Sequence, residues 1–161
     1  TQGGPMGHSI TAKAVAFYEA IDGKFSEYAK QIVINSRILA KSMENRGFKL
    51  VSNGTDTHMI LVDLRTKSMS GMEAERYLMD VGIIVNKNTI PFDPNPPMIT
   101  SGIRIGTAAL TTRGLVAKDM DYIGDLIYKT LTYSDDHKIK SRISKEVKEF
   151  SESFPVPGID T

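Results

Sequence analysis

At 161 residues the chain fits one ordinary domain, or one domain plus a helical extension, and is too short for a multi-domain machine. Hydrophobic residues make up 40% and charged residues 24%, near globular averages, which argues against a disordered or fibrous chain. Lys and Arg total 20 against 19 Asp and Glu, so a net charge of +1 supplies no field to gather nucleic acid or anionic lipid, and the lack of cysteine removes disulfides, thiolate chemistry and Cys-based metal sites together.

The chain opens on "TQGGPMGH" without an initiator methionine, which points to a fragment or a processed product. Ser9 to Ile21 then carries Ile10, Ala14, Phe17 and Ile21 at the three-and-four spacing of one helical face. Asp22-Gly23 breaks that helix. A longer periodic run through Phe25, Tyr28, Ile32, Leu39 and Met43 follows and stops at Gly47, a C-terminal cap, with a domain boundary expected between Lys24 and Lys30. A short strand at Lys49–Val51, a turn on "SNGTD" and a buried strand over Met59–Leu64 predict a hairpin.

Ser70 and Glu73 stand in capping-box register at the head of a helix over Ser70–Val81, which Gly82 ends. "IIVNKN" reads as a strand. After it, four of the seven prolines crowd into "TIPFDPNPPMITSG", a loop unable to continue a helix or a central strand, and "GIRIGT" is the last strand. Two helices close the chain, one with Met120, Ile123, Ile127 and Leu131 on a face, the other running from Ser134 through Ile139, Ile143, Val147, Phe150 and Phe154. The order predicts an α+β fold, with helices on one face of a mostly antiparallel sheet. No run approaches the ~20 apolar residues of a membrane span and no signal peptide is evident, so a cytoplasmic location is expected.

Arg104, between Ile103 and Ile105, places a permanent charge within an apolar strand. Two alternatives explain it: a structural ion pair or edge charge, or a forked clamp for a small carboxylic acid. "QGGP" before a helix is either a plain turn or a backbone cradle for phosphate. "NKN" at Asn86 to Asn88 is either an Asx-type cap or an amide contact to a heterocycle. His8 lies near the glycines, His58 at a strand start and His137 on a solvated helix; the three are too scattered for a metal site. Met43, Met59, Met79 and Met120 read as packing residues.

"QGGP" with His8, "AKAVAF", "GTDTHMILVDL", "VNKNTIPFDP" and "TSGIRIGT" with "ALTTRG", in this order over essentially the whole chain, resemble serine hydroxymethyltransferase. The resemblance covers that family's C-terminal portion and implies a fold-type I pyridoxal 5'-phosphate enzyme of one-carbon metabolism. Its reaction converts serine and tetrahydrofolate to glycine and 5,10-methylenetetrahydrofolate. By resemblance Arg104 binds the substrate carboxylate, Gly3 and Gly4 contact the cofactor phosphate across a dimer interface, Asn88 meets the pterin, and Pro96, Pro97 and Met98 form a folate-side loop. Residues 1–24 would end the large domain and 25–161 would form the small domain of a homodimer or tetramer.

The chain departs from the family where Pro96-Pro97-Met98 replaces Ser-Pro-Phe, where Ala108 replaces proline, and where Met6-Gly7 replaces two larger apolar residues. The lysine that anchors the cofactor, in a "THK" context, is absent from these residues. The resemblance therefore assigns no catalytic residue to this segment and implies that it is inactive alone. The alternatives are a free-standing binding or regulatory domain of the same fold, or a fragment of another fold-type I enzyme.

Overall fold

The computed structural model describes residues 3–159. Two helices, α1 (Gly7–Ile21) and α2 (Gly23–Asn45), meet at Asp22, whose extended backbone interrupts the helix while its side chain accepts from Lys24 N and caps α2. A two-residue strand β1 (Lys49–Leu50) and β2 (Met59–Asp63) follow, joined through a single turn of tight helix at Val51–Asn53. Then come α3 (Gly71–Asp80), β3 (Asn86–Asn88), β4 (Gly102–Gly106), α4 (Ala108–Thr112), α5 (Ala117–Thr132) and α6 (His137–Glu152).

All described strand pairs are antiparallel, in the order β1-β2-β4-β3, so the sheet is α+β in kind as the order of elements predicts. Strand alternation sorts its residues cleanly. Leu50, Ile60, Val62, Ile103 and Ile105 face a core filled by Leu39 and Met43 of α2, Ala74 and Leu78 of α3, and Met120, Ile127 and Leu131 of α5. Each Val, Leu, Ile or Met among them contributes about 1.5–3 kcal/mol by leaving water. Ile143 of α6 joins Val81 and Leu126 in a smaller cluster behind them.

The Ser70 cap forms as its spacing predicts: Glu73 N donates to Ser70 Oγ at 3.2 Å while Ser70 N donates to Glu73 Oε2 at 2.9 Å. Three expectations are corrected. The apolar run Ile83–Val85 is not strand, because only Asn86–Asn88 pair with β4, and Ile84 is exposed. The last helix starts at His137, where Asp136 caps it, rather than at Ser134. Met79 is 59% exposed and is not a core residue, whereas Met43 and Met120 are fully buried.

Helix α1 has the periodicity of an amphipathic helix but buries no side chain: Ile10, Phe17 and Ile21 are all exposed. No helix among the described residues is long and apolar enough to cross a membrane.

Candidate functional site

α2, α3 and α5 pack against one face of the sheet, and Arg104 is exposed on the opposite face. Its neighbours Ile103 and Ile105 point into the core, at 0% and 6% exposure, and this burial fixes the arginine outward. In register, Leu61 of β2 and Asn86 of β3 flank it. Nη2 donates to Asn86 Oδ1 at a long 3.5 Å. Among the described residues no carboxylate comes within 4.0 Å of this guanidinium, so with none of them does Arg104 form a structural ion pair.

Asn88 lies one rung further along the same face, opposite Gly102. Its Nδ2 donates to Thr89 O at 2.7 Å, so the amide nitrogen serves a local turn. Gly102 itself leaves no room for a side chain, since an added Cβ would stand 2.7 Å from Val62 O and 2.6 Å from Ile90 Cγ2.

The loop between β3 and β4 carries Pro96, Pro97 and Met98, all exposed, the last at 75%. It is ordered by a residue the sequence analysis did not single out. Asp93 accepts four hydrogen bonds: from Ile90 N (3.1 Å), Asn95 N (2.9 Å), Ser101 N (2.9 Å) and Ser101 Oγ (2.6 Å). The carboxylate thus ties the loop's start to its end, and Pro96 O accepts from both Ile99 N and Thr100 N to close the tip. A lone acid followed by proline was the only sequence signal for it.

A second unforeseen pair is Asp63 with Arg65, just beyond β2. Arg65 Nη2 donates to Asp63 Oδ2 at 2.7 Å and Nε to Oδ1 at 3.0 Å. These side-chain hydrogen bonds, helped by the Arg65 backbone N–H and by Lys49, hold the Asp63 carboxyl below its ordinary value even though burial pushes the other way. The "VDLR" segment showed an acid and a base two apart, yet strand alternation past Leu64 gave no sign that they would fork together.

Gly3 and Gly4 lie exposed in the segment leading into α1, and an added Cβ at either would meet nothing within 4 Å. Gln2, the first residue of "QGGP", is outside the described residues. The first turn of α1 holds no acidic side chain and no side-chain cap, so although Ser9 N already donates to Met6 O, the N–H groups of Gly7 and His8 and the positive dipole end stay open to an anion. These backbone donors fit a phosphate group. Because α1 buries no side chain, the structure does not bring the glycines to the sheet; it brings together only Arg104, Asn86, Asn88 and the proline-rich loop.

The described residues form a small α+β domain in which Arg104 stands exposed on the sheet, with no acid beside it among them, next to an ordered proline-rich loop. A profile of the family described as Serine hydroxymethyltransferase matches residues 1–127. Three proteins named Serine hydroxymethyltransferase are similar over 155 residues, 96% of this chain: those of Koribacter versatilis (47% identical), Leptospira biflexa serovar Patoc (48%) and Myxococcus xanthus (49%). The chain belongs to the serine hydroxymethyltransferase family. It spans 36 to 37% of the length of these relatives.

Proposed function

We propose that this chain supplies the C-terminal part of a pyridoxal-phosphate-dependent serine hydroxymethyltransferase, interconverting serine and glycine with tetrahydrofolate as the one-carbon acceptor. The observation that carries this is Arg104, a planar fork exposed on the sheet whose only contact among the described residues is a long one to Asn86. A bidentate grip on the α-carboxylate sets the amino acid's orientation, and orientation decides which bond can break. Pyridoxal phosphate, when bound, supplies the electron sink for that bond.

Gly3 and Gly4 would hold the cofactor phosphate through backbone N–H groups, from across the interface of a homodimer or tetramer. Asn88 and the Pro96–Met98 loop would meet the folate, which places both co-substrates on the same side of the sheet. The exposed apolar face of α1 supports a division in which residues 1–24 belong to the large domain and 25–161 to the small one. The family membership and the lack of any membrane-spanning helix among the described residues support a cytoplasmic site of action.

The test is a full-length chain carrying this segment, assayed for serine cleavage. Arg104→Gln lowers kcat/KM for serine by about a hundredfold or more, and Arg104→Lys, which keeps the charge and loses the fork, recovers only part of it. An unchanged kcat/KM in Arg104→Gln would refute the assignment.

A further inference from the structure

Arg104 shares its face of the sheet with a carboxylate. In the antiparallel register Leu61 pairs with Arg104 and Asp63 with Gly102, so alternation puts Asp63 on the same side as Arg104, on the diagonal. Diagonal cross-strand neighbours lie about 7–8 Å apart, within reach of a long side chain. Asp63 is therefore the intramolecular rival of any acid that arrives from outside. Arg104 nonetheless bonds Asn86 and leaves Asp63 alone.

The reason is Arg65. Its fork occupies both oxygens of Asp63, at 2.7 and 3.0 Å, and its backbone N–H adds a third bond at 3.1 Å. Lys49, directly opposite on β1, adds a weaker contact at 3.7 Å. The Asp63 side chain is 3% exposed, so it has almost no water to fall back on. Without the fork, a buried carboxylate is left largely uncompensated, and such a charge draws whatever cation can reach it.

We propose that the Asp63–Arg65 pair is a positioning device that keeps Arg104 available for the substrate carboxylate by satisfying its internal competitor. This rests on the carboxylate-binding assignment of Arg104. Asp63 remains ionised through the neutral range, so the competition never lapses and the fork must be permanent; an arginine, which does not lose its proton, meets that need. Neither Asp63 nor Arg65 touches the substrate in this scheme. Their effect is on affinity.

In the full-length protein, Arg65→Gln raises the KM for serine about tenfold, the cost of breaking a captured charge pair before binding, with kcat within about twofold of its starting value. Adding Asp63→Asn to that variant removes the competitor and returns KM close to the unsubstituted value. A merely structural pair also recovers in the double variant, because the stranded charge is gone, but its loss in Arg65→Gln falls on the thermal midpoint and on kcat rather than on KM alone. Arg104→Gln measured alongside separates the two ideas. If it leaves the serine KM unchanged, the carboxylate assignment itself is wrong; if it raises KM while Arg65→Gln does not, or the double variant fails to recover, only the present proposal falls. Because Arg65→Gln strands a buried charge and can unfold the chain, side-chain NMR of the unsubstituted protein gives a second readout. Arg65 Nη signals are split by arrested rotation and those of Arg104 are averaged; the opposite pattern overturns the proposal.

Discussion

Asp93 shows how one side chain can order a loop that has almost no secondary structure. Burial opposes its ionisation, but the Ser101 hydroxyl and the N–H groups of Asn95, Ser101 and Ile90 outweigh that and bring its carboxyl down to about 2. The folded value lies below the ordinary carboxylate value near 4, so the unfolded chain binds the proton more readily. The stabilisation is complete above about pH 4 and is lost as pH falls toward 2. In denaturant unfolding, Asp93→Asn is less stable than the unsubstituted chain near neutral pH, and the gap closes on acidification. A gap that stays constant down to pH 2 would show that the carboxylate charge is not what holds the loop. The same residue was nearly invisible in the sequence, because its partners at 90, 95 and 101 become neighbours only once the loop has closed.

Between elements, α3 approaches the chain entering β4 closely at Gly71. Gly71 N donates to Thr100 O and Met72 N to Ile99 O, both at 3.0 Å, so two of the helix's unpaired N-terminal donors are spent on the segment that leads to Arg104. A Cβ on Gly71 would collide with Thr100 Oγ1 and with the carbonyl oxygen of Gly102. Since Gly102 is a β4 residue paired with both β2 and β3, that oxygen cannot move without disturbing the sheet. Gly71→Ala consequently destabilises the chain by about 3 kcal/mol, measured by chemical or thermal unfolding; a loss within 0.5 kcal/mol, typical of surface changes, would mean that α3 can shift freely.

How much of this was legible depends on whether the cause is local. The Ser70–Glu73 cap and the core stripe of α5 were readable because their partners lie within a turn or two of each other. Helix α4 was not, since its five residues are held by distant groups: Tyr28 Oη lies 2.7 Å from Thr112 Oγ1, and Asn35 donates to Thr111 Oγ1 at 2.9 Å. Ile83–Val85 misled because an apolar run marks burial without saying which strand pairs with it. At the site, the outward turn of Arg104 followed from alternation alone, whereas the absence of an acid beside it among the described residues depends on cross-strand register, and the pairing of Asp63 with Arg65 on how the chain turns after Leu64.

Across the whole molecule, stability and exposed apolar surface are unevenly divided. The sheet, α2 from Ile32 onward, α3 and α5 enclose the main core, while α1 contributes no buried residue and Phe25 at the start of α2 is 46% exposed. A helix of 15 residues without tertiary packing is marginal in water, because nucleation is costly and each added residue contributes little. Removing residues 1–21 from the 161-residue chain therefore leaves its thermal midpoint within about 2 °C, since a shift of that size in a domain this large corresponds to under 1 kcal/mol. Amide hydrogens of residues 7–21 exchange far faster than those of Leu39 or Ile103, which open only with the core. A drop of several degrees on truncation, or slow exchange across α1, would mean that the helix finds a partner face within this chain. In the full-length protein the expectation inverts: if α1 packs on the rest of the large domain, its amides become protected and truncation costs folding, so the two measurements compared side by side locate where its exposed Phe17, Tyr18 and Ile21 are buried.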